Sequence, residues 1–451
     1  MVAPGFESEA RNYAKEIGAA RLSIRSLSRT PIDLSSPHGL SKAGKEAAQL
    51  SIAGLTQETI LPGEGITLPA TFSFEGEDFK AAWEKMEKYF LNGMMSDGFP
   101  LVPPTGEAVA QMLEGTDLNP QHLVGVVGNG QGLATIEKIA VNAVMAGCLP
   151  QYMPVIVAAV EAITDPRYDL NRVQSTAGPA APLFIISGPK VIQDLNINDG
   201  FATLGPGWRA NATIGRAIRL ILINIGYEWP GKTDMKSLGP FAKFTTLLAE
   251  NEEEYKGAWE PLRMGEGFKK GQATVSVMTV NNMRAISAGS VESYTKEIAQ
   301  AMRGAHNAEA RTWGEENLIL LNPTAFDVFR EAKLPRAEVQ QRLHQAGRVP
   351  CSQFARYRGA PIPLPDLARI PQIPEEIVSQ CRESMENLVS VVPRPEDLKI
   401  IVAGGRTGGG AYFIDTWGFG KSYFTTKEIK LPKNWDRLLE KYRGWDTPVI
   451  K

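Results

Sequence analysis

Cysteine is scarce. The chain has three in 451 residues, Cys148, Cys351 and Cys381, and no CxxC pair. An odd, widely scattered set argues against a disulfide framework and fits a reducing compartment, so a cytoplasmic location is expected. Histidine is also rare. His38, His122, His306 and His344 form no HxH, HxxxH or HExxH pattern, so no zinc site built on local spacing is expected. No Ser-His-Asp arrangement stands out. No apolar run reaches the roughly eighteen residues of a membrane-spanning helix. The N-terminus lacks a basic stretch leading into an apolar one, so no secretory signal is expected. Net charge is −2 with both signs interspersed, which gives nucleic acid and anionic membranes nothing to attract.

What is present is an ordinary globular composition, 43% hydrophobic and 22% charged, long enough for two or three domains around a large core. Residues 1–75 stand apart. A short helix is expected over Glu7–Ile17, followed by a Ser-, Pro- and Gly-rich run with scattered apolar residues. This is either a free tail or an ordered arm that wraps a partner. Helical spacing begins at Phe79, Trp83, Met86 and Phe90. Thr105 caps a helix to about Leu113. "ATIEKIAVNAVMAG" and "YMPVIVAAVEAITDP" are helices, the second with Pro154 in its first turn. "APLFIISGP" is a buried strand and "ANATIGRAIRLILINIG" a long helix. Strands are expected at 273–280, 317–322 and 398–405, helices at 291–303 and 335–346, and a proline-rich surface loop at 358–376. The fold class is therefore α/β, with mixed or partly parallel sheets and packed helices in two subdomains, plus an extended N-terminal arm. The expected divisions are 1–75, 76–268 and 269–451.

Two helices open alike, "ATIEK" at 134–138 and "ATIGR" at 212–216. Ile136, Ile139, Ala140, Ala143 and Val144 make an apolar stripe matched by Ile214, Ala217, Ile218, Ile221 and Leu222. Beside the first stripe run Thr135, Lys138 and Asn142; beside the second, Thr213, Arg216 and Leu220. A cation near a helix N-terminus opposes the macrodipole but joins the free N–H groups in attracting an anion. The plainer alternative is two buried helices that share a small-residue start, each cation paired to a carboxylate. Ahead of the second helix, "GPGWRAN" offers glycines for close approach, Arg209 as a carboxylate fork and Asn211 as an N-cap, with Trp208 between. A tight turn with a packed Trp208 is the alternative.

"AENEEE" (249–254) supplies Glu250, Asn251 and Glu252 as candidate acid/base groups or hard-metal ligands, with Glu253 and Glu254 read as solvated. "GGRTGGG" (404–410) follows a strand but has neither Walker nor GxGxxG spacing, so a tight turn or a subunit contact is favoured. Cys148 ends a helix, where the dipole disfavours a thiolate; a packed core cysteine is expected.

"SDGFPLVPPT", "ATIEKIAVNAVMAGCLPQYMPVIVAAVEAI", "GPGWRANATIGRAIRL", "AENEE" and "IVAGG" resemble large bacterial proteins found with, or fused to, the UGSC-type (seleno)protein domain. The resemblance covers roughly residues 75–425. In that family the redox element is a small α/β domain with a U/C-G-S-C stretch. This chain has no CGSC, so the resemblance implies a separate small cysteine- or selenocysteine-containing subunit and a heteromeric enzyme. Where the family often shows a "PEHA"-like stretch, this chain reads "NPTAFDV" (322–328), and no histidine role carries over.

The leading expectation is the large, substrate-binding subunit of a hetero-oligomeric oxidoreductase or lyase acting on a small carboxylate-bearing molecule, with the thiol or selenol supplied by the partner. Glu137, Lys138 and Glu250 are the candidate catalytic residues, with Glu137 or Glu250 as acid/base. Thr135, Asn142, Trp208, Arg209, Asn211, Thr213, Arg216 and Asn251 are the candidate substrate contacts. No metal ligand is assigned and the cofactor is left open. The alternatives are a metal-assisted hydratase or lyase, and a non-catalytic scaffold for a small thiol protein.

Overall fold

The computed structural model describes residues 71–305, 308–314, 316–357, 359–417 and 423–445. The expected Glu7–Ile17 helix and nearly all of the expected arm lie outside them. Contacts divide the chain between Glu75 and Gly76, and Gly76–Lys451 is one compact unit.

Two four-stranded mixed sheets carry that unit. The first contains β3 (Ala181–Ser187), β4 (Leu247–Ala249), β5 (Thr274–Val280) and β10 (Thr425–Glu428), in the order β10-β5-β3-β4. Here β3 runs parallel to β4, with Phe184 opposite Leu247, and antiparallel to β5. The second contains β6 (Asn282–Ser287), β7 (Asn317–Leu321), β8 (Leu398–Val402) and β9 (Gly410–Asp415), in the order β8-β7-β9-β6. In it β8 runs parallel to β7, with Leu398 opposite Asn317. A hairpin of β1 (Leu123–Val127) and β2 (Gly132–Thr135) stands apart from both. The α/β class with mixed sheets is as expected. The first sheet, however, takes strands from both sides of the expected 268/269 boundary.

Every residue of β3, β5 and β7 is buried, because both faces of each sheet are covered. Leu183, Ile185, Leu248 and Met278 of the first sheet share one apolar cluster with Leu318, Leu320, Ile401 and Ile414 of the second. The sheets thus pack face to face, with helices on their outer sides. On the second sheet's outer face, Ile319, Leu321, Ile400 and Phe413 meet Tyr294, Ile298, Phe326, Phe329 and Leu343.

The expected helices are present as α1 (Phe79–Asn92), α2 (Gly106–Leu113), α3 (Ile136–Ala146), α4 (Met153–Ile163), α5 (Arg209–Asn224), α6 (Val291–Arg303) and α8 (Arg336–Ala346), and a further helix that was not expected, α7 (Pro323–Glu331), follows β7. Thr105 caps α2 by accepting from Ala108 N. All of α4 but Glu161 is buried, as for a helix enclosed on every side.

One compositional expectation is corrected. Cys351 and Cys381 form a disulfide, leaving only Cys148 free. Thirty residues separate the pair, and packing of Cys351–Phe354 against Glu375–Glu383 brings them together. The 358–376 stretch is also not all loop, since Leu364–Leu367 is helical. Among the described residues no helix is long and apolar enough to cross a membrane.

Candidate functional site

The two like helix openings do not face one pocket. Helices α3 and α5 pack side by side, and the expected stripes, Ile136 to Val144 and Ile214 to Leu222, are buried. The pair is antiparallel. Arg209, at the start of α5, donates Nε–H to Gly147 O at the end of α3, 3.1 Å away, and Cys148 Sγ donates to Thr213 O. Further along, Asn142 Oδ1, in the middle of α3, accepts from Asn224 Nδ2 in the last turn of α5 at 2.7 Å, and Gly130 N, ahead of β2, donates to Gly226 O just past α5. "ATIEK" and "ATIGR" therefore lie at opposite ends of the pair, separated by about 16 Å, the length of an eleven-residue helix.

Each expected contact has a local task instead. Thr135 is the N-cap of α3 and accepts from Lys138 N. Glu137 is exposed and accepts from Gln121 Nε2 at 2.9 Å, while Lys138 is exposed on the same turn. Asn142 is buried and also donates to Lys138 O. Thr213 Oγ1 donates back to Arg209 O. Arg216 grips Asp97 with two hydrogen bonds of 2.7 and 2.9 Å and also donates to Phe99 O and Pro100 O, which fixes the "DGFP" stretch. The plainer reading, a cation paired to a carboxylate, holds for Arg216. Trp208, not Asn211, is the N-cap of α5, and it makes no side-chain cap bond.

Asn211 is the residue that leads to the cleft. Its side chain, 4% exposed, accepts from Asn198 N at 2.7 Å and donates to Asn198 O and Thr203 O. Asn198 in turn donates to Phe201 O and accepts from Gly200 N. These bonds fix the 198–203 loop, which presents Asp199 over the carboxyl ends of the parallel strands. Gly404 N, just past β8, donates to Asp199 O at 2.7 Å. Phe201 lies so close to Gly405 that a Cβ there would come within 2.2 Å of its ring. In open α/β sheets this carboxyl edge is where ligands sit.

The strand ends meet here. Glu250 N donates to Ile186 O and Asn251 N to Val402 O, which ties β4 to β3 in one sheet and to β8 in the other. A cavity of about 240 Å³ opens between Ile192, Ile197, Asp199, Glu250, Glu252 and Glu253. Glu250 is wholly buried beneath it. Its carboxyl accepts from Ser187 Oγ and Tyr255 Oη, both at 2.6 Å, and from Leu262 N at 2.9 Å. Burial raises its pKa; the three donors oppose the rise and Glu252 adds to it. Tyr255 is itself wedged beneath Arg336 and against Phe326. Glu252 accepts from Gly188 N and pairs with buried Arg263. Glu253 accepts from Gln193. Glu254, expected in solvent, is held by Arg406, which also grips Asp327. Arg406 belongs to the glycine loop, and Asn322 secures that loop by donating to Thr407 O and Gly408 O.

Asp199 differs from these neighbours. Among the described residues no cation pairs with it. Burial raises its pKa above the ordinary aspartate value, its own backbone N–H opposes the rise, and Glu253 and Glu254 add to it. A half-buried carboxyl at a cavity wall, its pKa raised by burial and like charge, is a candidate for proton transfer. It was missed in the sequence. The usable signal was an acid between Asn198 and Gly200, ahead of the glycines that had already drawn attention. Among the described residues no group of three or more His, Cys, Asp or Glu could hold a metal ion. Comparison with protein-family models and with curated proteins finds no match.

Proposed function

We propose that this chain is the large subunit of a heteromeric enzyme, related to the UGSC-associated proteins, and that it binds a small polar molecule in the carboxyl-edge cleft with Asp199 as general acid and base. The observation that carries the reading is the Asp199 carboxyl, at the wall of a cavity on a loop whose backbone Asn198 and Asn211 secure, with no cation paired to it among the described residues. The expected carboxylate of the substrate is not accommodated inside, where Glu250, Glu252 and Glu253 would repel it. A hydroxyl or amine group suits the interior.

Thiol chemistry needs a partner in this reading. The Cys148 thiol is buried, donates to Thr213 O, and is pushed up to about 12 by that burial. Cys351 and Cys381 are spent on each other. A docking face supports a second subunit: Leu238 and Phe241 are 97% and 94% exposed, while Glu228 and Asp234 of the same stretch are turned inward. Exposed apolar clusters of this kind are typical of interaction surfaces. The Cys351–Cys381 disulfide removes the cysteine argument for a reducing compartment.

The test is purification of the native assembly, followed by Asp199→Asn and Leu238→Asp/Phe241→Asp variants. The first should abolish turnover with the complex intact. The second should release the partner. Full turnover by Asp199→Asn across the pH range would overturn the proton-transfer assignment.

A further inference from the structure

A second cavity, sharing no residue with the cleft, lies between the end of α6 and the short hairpin Arg356–Tyr357/Ala360–Pro361. Its volume is about 840 Å³, within the range of metabolite sites. Arg303 and Arg356 both line it.

Arg216, Arg263 and Arg406 each grip a carboxylate, whereas Arg209, Arg219 and Arg348 donate to backbone carbonyls; what sets Arg303 and Arg356 apart is that both line one recess. Among the described residues no carboxylate lies within ion-pair distance of Arg303 or Arg356. Arg303 uses Nε to donate to Ala299 O and leaves its outer nitrogens to the cavity. A basic residue in the last turn of a helix is stabilising in its own right, which would account for Arg303 alone. It does not account for Arg356, which sits on a two-residue strand.

The walls are fixed relative to one another. Gly359, at φ +78° in the hairpin turn, donates its N–H to Glu309 Oε1 across the cavity. Arg311 stacks on Tyr357 at 5.3 Å, and Gln353 Nε2 donates to Arg303 O at 2.7 Å. Two forked cations thus line one recess, with the Ser352 hydroxyl and the Glu309 carboxylate, the latter engaged by Gly359 N, on the same lining. Guanidinium groups in such settings bind carboxylate or phosphoryl oxygens through paired hydrogen bonds.

We propose that this recess is a second ligand site, for an anionic, metabolite-sized molecule carrying carboxylate or phosphoryl groups, anchored by Arg303 and Arg356. The experiment is calorimetric titration of the full chain with pyrophosphate and, separately, with citrate, using glycerol as the uncharged control. At least one anion should bind saturably at millimolar concentration or below, and glycerol should not. Saturation by pyrophosphate alone assigns a phosphoryl ligand; saturation by citrate alone assigns a polycarboxylate. Arg303→Ala and Arg356→Ala should each weaken binding about tenfold or more, and Arg437→Ala, a distant exposed arginine, should not. Arg303→Lys and Arg356→Lys, which keep charge without the fork, should fall between and also serve if an alanine variant fails to fold. No saturable binding of either anion, or equal binding by the folded arginine variants, overturns the proposal.

Discussion

Asn211 and Asn198 are joined by two hydrogen bonds, side chain to backbone, of 2.7 and 3.0 Å, and this clasp sets where Asp199 stands. Asn211→Ala removes three hydrogen bonds from a buried position and leaves Asn198 N without its partner. We expect a stability loss of about 1–3 kcal/mol. We also expect a larger fall in turnover than the loss of folded protein explains, with a shifted pH–rate profile because Asp199 is no longer held in place. If denaturation and activity fall together and the profile is unmoved, Asn211 has only a structural role.

Arg216 was expected to bind substrate and instead binds Asp97. The Asp97 side chain is 3% exposed, so Arg216→Ala leaves a buried, unpaired carboxylate. Breaking such a pair costs about 3–5 kcal/mol. Asp97→Asn combined with Arg216→Gln should recover part of the loss, since it removes both charges together. Substrate affinity of the surviving folded protein should be unchanged. A raised KM in either protein would return Arg216 to the substrate.

Much of this fold was legible because burial dictates sequence period. The stripes of α3 and α5, the cap at Thr105 and the wholly buried strands β3, β5 and β7 follow directly from residue pattern. Strand β6 was not legible because it is an edge with only Ile286 buried; β10 reads as a polar TTKE. The cleft was half legible. Glu250 and Asn251 announced themselves in "AENEE", but their meeting with Asp199 and Gly404 depends on parallel pairing and sheet-on-sheet packing, which leave no local pattern. The doubled helix opening misled because sequence gives the face of a helix and not its direction against a neighbour.

Thiol accessibility checks the cysteine assignments. Native protein should show no titratable thiol, because Cys148 is buried and Cys351 and Cys381 are paired. Denaturation without reductant should expose the single Cys148, and denaturation with reductant all three. Three reactive thiols in unreduced, denatured protein would disprove the disulfide. A fast-reacting native thiol would contradict the burial of Cys148 and make a partner's thiol unnecessary.

Lys236 gives the unit a pH dependence of definite sign. Its side chain is 2% exposed and donates to Val173 O at 2.7 Å and Gln174 O at 2.9 Å, with Asp234 at 3.7 Å. Burial lowers its pKa to about 7; Arg219 acts in the same direction and Glu228 against it. A neutral amine still has two N–H groups, enough for both carbonyls, so loss of the proton does not break the contacts. The unfolded lysine keeps its proton up to its ordinary 10.5. Between about 7 and that value the unfolded state binds more protons, so stability rises with pH through this window and is lost as pH falls through 7. Lys236→Met should be less stable overall for want of the two hydrogen bonds, but its stability should climb less steeply with pH. The slope that remains combines Lys243, which burial also lowers to about 7, with the raised Cys148 thiol, which acts in the opposite direction above its ordinary 9.0. Urea denaturation at several pH values across the window measures both slopes, and equal slopes for wild type and Lys236→Met would show that Lys236 is charged in the folded protein throughout.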